Sequence, residues 1–207
     1  MSGYTISTVE EFDAYLKEHL SEHRYRHCLG VAETTERVLS HFGCKDYQRE
    51  WNGFSAGVFC GLAHDLAREK TDEALLEYCE QNSLSLTEAE RISPVLSHGL
   101  VSAHMARTLC GEYPDSWYRA ICVHTTGDKG MDELALALFV ADFIEPGRKF
   151  LTEDERQRYL SQGSLVRCAN AVLCDMMSHW KKKGYHDASE QSVALSKELE
   201  MRIRRGE

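Results

Sequence analysis

Apolar residues recur along most of this chain at the three- and four-residue spacing that is typical of amphipathic helices. Phe12, Leu16 and Leu20 form the first such stripe, and Thr8 and Glu11 precede it with the spacing of a capping box. Further helices are predicted over about residues 24–42, 50–70, 71–81, 87–92, 94–110, 114–127, 132–145, 163–183 and 187–204. Because the pattern predicts no strand and no hairpin, the fold class that we expect is all-α.

Length and composition are those of one globular domain. The chain has 207 residues, of which 43% are apolar. A chain of this length can bury roughly 70% of its unfolded surface, so it needs no disulfide or structural metal to fold. We therefore expect a single domain over residues 1–207. The longest apolar run, residues 134–144, is too short to cross a bilayer, and the N-terminus lacks the basic start and apolar core of a signal peptide. The expected location is cytoplasmic, with no membrane contact.

The net charge of the chain limits the kinds of molecule that it can bind. The net charge of -9 repels nucleic acid at long range, so we expect no nucleic-acid footprint. A small anionic substrate is compatible with this net charge, because a bound metal can reverse the sign of the charge inside a pocket.

The eight cysteines contain no CxxC pair, which argues against a zinc ribbon or a thioredoxin-type site. We expect free, mostly buried thiols.

Six histidine and aspartate side chains stand where the helical pattern expects core residues. They are His27, His64, Asp65, His98, His124 and Asp142. Helix arithmetic at about 100° per residue places each of them on or beside the apolar face of its predicted helix. A buried carboxylate is normally paired or bound to a metal, and core-facing lysines and arginines are scarce in these helices. A metal cluster would satisfy all six, and such nitrogen and oxygen donors suit zinc, iron or manganese.

Each of these side chains has a simpler interpretation when it is taken alone. A single core histidine, such as His27 or His98, is usually hydrogen-bonded and structural. Asp142 alone could be a buried polar partner, and an HD dipeptide has little specificity. The hypothesis of a metal site depends on the combination of six donors on five predicted helices.

The order of these residues resembles the HD superfamily of metal-dependent phosphohydrolases, and the histidines beyond the HD pair resemble its dinuclear branch. The flanking sequences RHCLGVAETT, GLAHDLARE, VHTTG and FVADFIEPGRKF are similar to those of YqeK-type symmetrical bis(5′-nucleosyl)-tetraphosphatases, over about residues 10–180. The resemblance implies an HD-domain helical bundle with a metal site in its core. The core would span about 20–150, with C-terminal helices at about 163–204 packed on it.

The resemblance also implies the activity and its cofactors. The expected reaction is symmetrical cleavage of diadenosine tetraphosphate to two ADP by a metal-activated water. Two divalent metal ions are implied, with iron expected and manganese or zinc compatible. The implied ligand sets are His27, His64 and Asp142 for one ion, and His98 and His124 for the other, with Asp65 bridging. The HD pair, His64 and Asp65, is therefore the expected catalytic pair.

Cationic and hydroxyl side chains beside these ligands are the candidate substrate-binding residues. Arg24 and Arg148 would meet the phosphates of a small nucleotide substrate. Thr125, Thr126 and Gly127 follow a ligand directly and could bring hydroxyl or backbone N–H groups to phosphate. The simpler interpretation is that the arginines are surface or capping residues and that Gly127 ends a helix.

Two positions depart from the family pattern. Arg68 stands three residues after the HD aspartate, where the family usually has lysine, and its planar guanidinium offers a different donor geometry. Ser102 stands where the family often has glycine. Neither departure removes a proposed ligand.

Three other functions stay open on the sequence. Another HD activity, such as a nucleotidase or a cyclic-nucleotide phosphodiesterase, would use the same ligands. A regulatory module could bind nucleotide and metal without turnover, although a complete ligand set argues against it. A structural helical protein would need the polar core to be a coincidence. The resemblance further implies a homodimer.

Overall fold

The computed structural model describes residues 6–44, 50–182 and 189–207, and helices account for most of them. Within these ranges the helices are α1 (Val9–His19), α2 (Glu22–His41), α3 (Ala56–Ala63), α4 (Asp72–Gln81), α5 (Glu88–Ile92), α6 (His98–Cys110), α7 (Asp115–Val123), α8 (Glu133–Ile144), α9 (Glu153–Leu160), α10 (Leu165–Lys182) and α11 (Glu190–Arg204). A 3₁₀ turn (Pro94–Ser97) precedes α6, and the strands β1 (Glu50–Trp51) and β2 (Phe54–Ser55) precede α3. The all-α prediction is confirmed.

A two-stranded antiparallel hairpin replaces the predicted start of the third helix. Its strands β1 and β2 are joined by Asn52 and Gly53, whose φ angles are 49° and 77°. An Asn-Gly pair with positive φ at both positions is the preferred two-residue hairpin turn. The prediction of a helix over 50–70 without a hairpin was therefore wrong. The helical part is α3 alone, and turns follow it as far as residue 70.

Other boundaries also differ from the predictions. Helix α9 was not predicted, although Thr152 and Glu155 form a complete capping box at its start. The helix predicted over 114–127 ends at Val123, and a turn carries the chain from there to Gly127. The predicted end at 183 and the predicted start at 187 lie outside the described residues.

Helix α8 is the centre of the bundle. Its sequence, ELALALFVADFI, is apolar on every side, and a helix of that kind is stable only when neighbours surround it. Helices α2, α3, α7 and α10 all pack against it. The first polar residue of its buried run is Asp142, two residues before the helix ends, and this carboxylate contacts His27 of α2 and lies near His64, which follows α3.

The cysteines belong to this packing rather than to disulfides. All eight are free; Cys28, Cys60, Cys79, Cys110 and Cys168 are buried, whereas Cys174 is exposed. Burial raises the pKa of the Cys60 thiol well above its ordinary value, which keeps it protonated and unreactive. No helix within the described ranges is both long enough and apolar enough to cross a membrane.

Helices α2 and α3 are in close backbone contact at Gly61, and this contact is expected to be sensitive to one methyl group. A Cβ at Gly61 would lie 2.3 Å from the Cα of Ala32, which is backbone and cannot move away. We expect Gly61→Ala to lower the free energy of unfolding by about 1–3 kcal/mol, as overpacking does. Urea titration with a constant m-value would measure it.

Gly57→Ala is the matched control for this prediction, because it makes the same change in the same helix. A Cβ at Gly57 would meet the carboxylate end of Glu36, a flexible side chain that can rotate away. The loss of unfolding free energy should therefore be smaller. An equal loss in the two variants would contradict the close backbone contact.

Candidate metal centre

The six predicted ligands converge in the interior of the bundle. His27 lies in the middle of α2, and His64 and Asp65 follow directly after α3. His98 is the first residue of α6, His124 follows α7, and Asp142 lies near the end of α8. All four histidines and Asp65 are at most 5% exposed. Residues up to 115 positions apart in the sequence are thus gathered by helix packing into one polar centre.

The four imidazoles form two pairs, and Asp65 lies between them. The Nε2 atoms of His27 and His64 are 3.2 Å apart, and those of His98 and His124 are 3.1 Å apart. The Oδ2 atom of Asp65 lies 3.5 Å from His27 Nε2 and 3.4 Å from His64 Nε2. Its Oδ1 atom lies 3.2 Å from His98 Nε2 and 3.6 Å from His124 Nε2. One carboxylate therefore presents one oxygen to each histidine pair.

Asp142 joins only the first of the two pairs. Its Oδ1 atom lies 3.0 Å from His27 Nε2 and 3.8 Å from His64 Nε2. Two groups of three residues could each hold an ion, because the donor atoms within each group all lie within 4.8 Å of one another. They are His27, His64 and Asp142, and His64, Asp65 and His124.

Backbone carbonyls set the orientation of three of the imidazoles. The Nδ1 atoms of His64, His98 and His124 lie 2.7, 2.6 and 2.7 Å from the carbonyl oxygens of Gly61, Val95 and Ile121. A carbonyl oxygen can only accept, so each Nδ1 carries the hydrogen and each neutral ring keeps its lone pair on Nε2. All three lone pairs face the centre.

Glu145 orients the imidazole of His27 in the same way, and it was not among the site residues predicted from the sequence. Its Oε1 atom lies 3.1 Å from His27 Nδ1, and its side chain is 4% exposed. The Gly147 N–H donates to Oε2 at 2.5 Å. The available signal was a carboxylate directly after the mostly apolar helix α8, three residues beyond Asp142.

The donor set fits divalent metal ions. Two unprotonated Nε2 atoms about 3 Å apart repel each other, and a cation between them removes that repulsion. Histidine ligands in metalloproteins usually donate their other nitrogen to a carbonyl or a carboxylate, as all four do here. Imidazole and carboxylate donors together suit borderline divalent ions. The His/Asp clusters are therefore compatible with a divalent metal site.

Both candidate arginines lie at this centre. Arg24 donates to Asp65 Oδ2, and Arg148 donates to Asp142 Oδ1. The Arg148 Nε–H also donates to the backbone oxygen of Asp142 at 2.8 Å. Their side chains are 15% and 30% exposed, so both are partly buried, and the Arg148 bond to a carbonyl in the last turn of α8 also fits the capping interpretation.

Positive charge keeps both aspartates ionised. Burial alone would raise the pKa of Asp142, but the Arg148 guanidinium and the contact with His27 outweigh it and hold that pKa well below its usual range. Burial acts in the same direction on Asp65, and the attraction of the surrounding imidazoles in their protonated form, His64 foremost, holds its pKa well below the ordinary value. Both carboxyls are thus in the form that ligates metal.

The three residues after His124 have different surroundings. The Thr125 hydroxyl lies 3.1 Å from the Nε2 atoms of both His98 and His124, so it is inside the centre. The Thr126 carbonyl accepts a hydrogen bond from Ser192. The Gly127 N–H donates to Val123 O at 2.8 Å, and its φ is 64°. This geometry favours the helix-ending interpretation of Gly127.

Ser102 supports the loop that carries the HD pair. Its side chain is fully buried, and its hydroxyl accepts the Ala67 N–H at 2.9 Å. Ala67 lies two residues beyond Asp65, in the turns that follow α3. The hydroxyl thus pairs with the buried Ala67 N–H. With glycine at position 102 this N–H would need another acceptor.

Comparisons with known proteins identify relatives of this chain by sequence. No model of a known protein family matches the chain. The symmetrical bis(5′-nucleosyl)-tetraphosphatase of Bacillus subtilis (strain 168) is 32% identical over 146 residues, which are 70% of this chain and 74% of the relative. The protein of the same name from Staphylococcus aureus is 30% identical over 159 residues, 76% of this chain and 77% of the relative.

A solved structure gives the same result for the fold. It is a crystal structure from Clostridium acetobutylicum, described as a predicted HD superfamily hydrolase involved in NAD metabolism. The TM-score is 0.81 at 26% identity, and the match covers 94% of this chain and 98% of the other. Sequence and fold thus agree over most of each chain compared. The chain belongs to the symmetrical bis(5′-nucleosyl)-tetraphosphatase family of HD-superfamily hydrolases.

Proposed function

We propose that this protein is a metal-dependent hydrolase that cleaves diadenosine tetraphosphate symmetrically. One water molecule is added and one P–O bond is broken, which yields two molecules of ADP. The observation that carries the proposal is the centre of four buried histidines and two aspartates, found in a chain about 30% identical to enzymes named for this reaction.

The proposal assigns two divalent ions to this centre. His27, His64 and Asp142 would hold one ion, and His98 and His124 the other. Asp65 would contribute to both, which its position between the histidine pairs supports. Iron is the expected metal, and manganese and zinc are compatible with the same donors. When bound, such ions supply Lewis acidity toward water and toward phosphoryl oxygens.

The chain's own cationic side chains would bind and orient the polyphosphate. Arg24 and Arg148 are the guanidinium groups in contact with the aspartates, and a guanidinium can bind two phosphate oxygens at once. The Thr125 hydroxyl could donate to a phosphate oxygen close to the histidines. ADP is a stable leaving group, so the proposal requires no strong general acid.

A product assay by chromatography tests the proposal. Purified protein loaded with iron or manganese would be incubated with diadenosine tetraphosphate, and the nucleotides would be separated over time. We expect ADP as the sole product. ATP together with AMP would show asymmetric cleavage instead. The absence of turnover with metal shown to be bound would refute the assignment for this substrate.

A second candidate substrate is another adenine dinucleotide. The structural relative from Clostridium acetobutylicum is described as involved in NAD metabolism, which favours including NAD in the same assay. Hydrolysis of NAD at its diphosphate would release AMP and nicotinamide mononucleotide, which chromatography separates from ADP. Cyclic nucleotides and nucleoside monophosphates would test the other HD activities. Binding of nucleotide without any product would favour the regulatory alternative.

Arg148 provides a test of phosphate binding at a residue that is not itself a proposed metal ligand, although it contacts one, Asp142. We expect Arg148→Ala to raise KM for diadenosine tetraphosphate about 10-fold or more, because a charge-assisted contact is lost. Steady-state kinetics at saturating metal would measure it. Arg204→Ala is the matched control, since Arg204 is exposed and contacts Glu200 in its own helix. Equal KM values in the two variants would contradict the role of Arg148.

A homodimer and a cytoplasmic location stay predictions. Light scattering coupled to size-exclusion chromatography would give the mass in solution, for comparison with 23.6 kDa for one chain. Cell fractionation would test the location.

A further inference from the structure

The C-terminal helix α11 lies against the turn that joins α7 to α8. Residues Ser192, Leu195, Glu198 and Arg202 are spaced three or four positions apart, so they share one face of the helix. Ser192 and Leu195 are fully buried. The turn spans residues 124–131 and begins at His124, so this helix face contacts the segment that directly follows a predicted metal ligand.

Three hydrogen bonds tie this face to the backbone of the turn. The Ser192 hydroxyl donates to Thr126 O at 2.6 Å, the Gly130 N–H donates to Glu198 Oε2 at 2.7 Å, and Arg202 Nη1 donates to Met131 O at 3.2 Å. These groups of the turn belong to no helix or strand of the bundle. The contacts with α11 therefore satisfy polar backbone atoms that the turn itself leaves unpaired.

Close packing adds to these bonds. A Cβ at Gly127 would lie 2.3 Å from Leu195 Cδ2, so the leucine rests directly on the glycine backbone. The turn also requires a φ of 64° at position 127, a conformation that residues other than glycine rarely adopt. The turn is thus held from one side by α11 and from the other by the Gly127 N–H bond to Val123.

We propose that α11 is a brace that positions Thr125 for the substrate phosphates. The braced carbonyl belongs to Thr126, the next residue, and the Thr125 hydroxyl lies 3.1 Å from two of the Nε2 atoms in the centre. Ser192, Leu195 and Glu198 are accordingly positioning residues, which act through the turn. The part of this proposal that concerns phosphates rests on the proposed function.

The test compares three variants of the full chain. Ser192→Ala with Glu198→Ala removes two of the three hydrogen bonds and leaves the Leu195 packing intact. Ser192→Ala with Glu198→Gln restores an acceptor for the Gly130 N–H. Lys197→Ala, on the exposed side of the same helix, is the matched control. Each variant is studied by hydrogen–deuterium exchange of the peptide covering 124–131, by urea unfolding and by kinetics with diadenosine tetraphosphate.

In the double alanine variant we expect faster exchange across the turn and a KM raised about 3- to 10-fold, the scale of one lost hydrogen bond. The glutamine variant should recover part of both effects, and the control neither. Unchanged exchange would overturn the brace. Faster exchange with an unchanged KM would show that α11 supports the turn without positioning Thr125 for substrate. A lower free energy of unfolding as the sole effect would lead to the same conclusion, and either result would overturn the proposed positioning of Thr125. If the wild type cleaves no nucleotide, the proposed function fails, whereas the exchange result still decides the brace.

Discussion

Asp65→Ala is expected to abolish turnover, with kcat/KM lowered about 10³-fold or more, the scale seen when a principal electrostatic group is lost from an active site. Asp65 is the only one of the six side chains with an oxygen near each histidine pair. Its loss would leave the two pairs without the shared carboxylate that neutralises bound cations. Metal content per chain should fall in parallel, as measured by elemental analysis of purified protein.

The interpretation depends on the variant being folded. Removal of Asp65 leaves the Arg24 guanidinium without its carboxylate, which costs stability when the group is mostly buried. Circular dichroism and urea unfolding would establish that the variant keeps its helices, and Asp65→Asn removes the charge with little change in volume. Asp154→Asn, an exposed carboxylate on α9, is the control. Full activity in folded Asp65→Asn protein would refute the assigned role.

Glu145→Ala is expected to weaken metal binding about 10- to 100-fold, the range typical of residues that orient a metal-ligating histidine. Glu145 is the acceptor at His27 Nδ1, so its loss frees the ring to rotate or to change its tautomer. Calorimetric titration of metal-free protein with manganese would give the dissociation constant. Nitrogen-15 NMR of the imidazoles would show the change of tautomer directly, without turnover.

Two further variants sharpen this prediction. Glu145→Gln keeps an oxygen in place and should weaken binding less than alanine does. Gly30→Ala leaves Glu145 present but puts a Cβ 2.8 Å from its Oε2 atom, so we expect the carboxylate to be displaced and the affinity to fall. A manganese affinity within twofold of the wild type in all three variants would contradict the orienting role of Glu145.

The helical fold and the six polar residues of the centre were accessible from the chain alone, and the reason is local. Apolar spacing reports helix faces directly, and a histidine or aspartate on such a face stands out wherever it occurs. His27, His98, His124 and Asp142 were recognised in this way. For Asp65 the predicted helix over 50–70 was too long, since α3 ends at Ala63, yet the residue still lies in the core.

The errors have equally local causes. The Asn52-Gly53 pair is a strong hairpin signal, but the uncharged stretch after it favoured one long helix. Helix α9 is short and polar, with Tyr159 as its buried residue, so it shows little apolar periodicity even though Thr152 and Glu155 mark its start.

Packing alone decided which groups support the centre. Glu145 meets His27 across 118 positions, Arg24 meets Asp65 across 41, and Ser192 meets Thr126 across 66. Nothing in the spacing around any one of these residues encodes its partner, because the partner is chosen by how α2, α8 and α11 lie against their neighbours. Local patterns therefore identify which residues are candidates for chemistry, whereas the tautomer of each histidine, the charge around each aspartate and the support of each turn follow from contacts between distant segments.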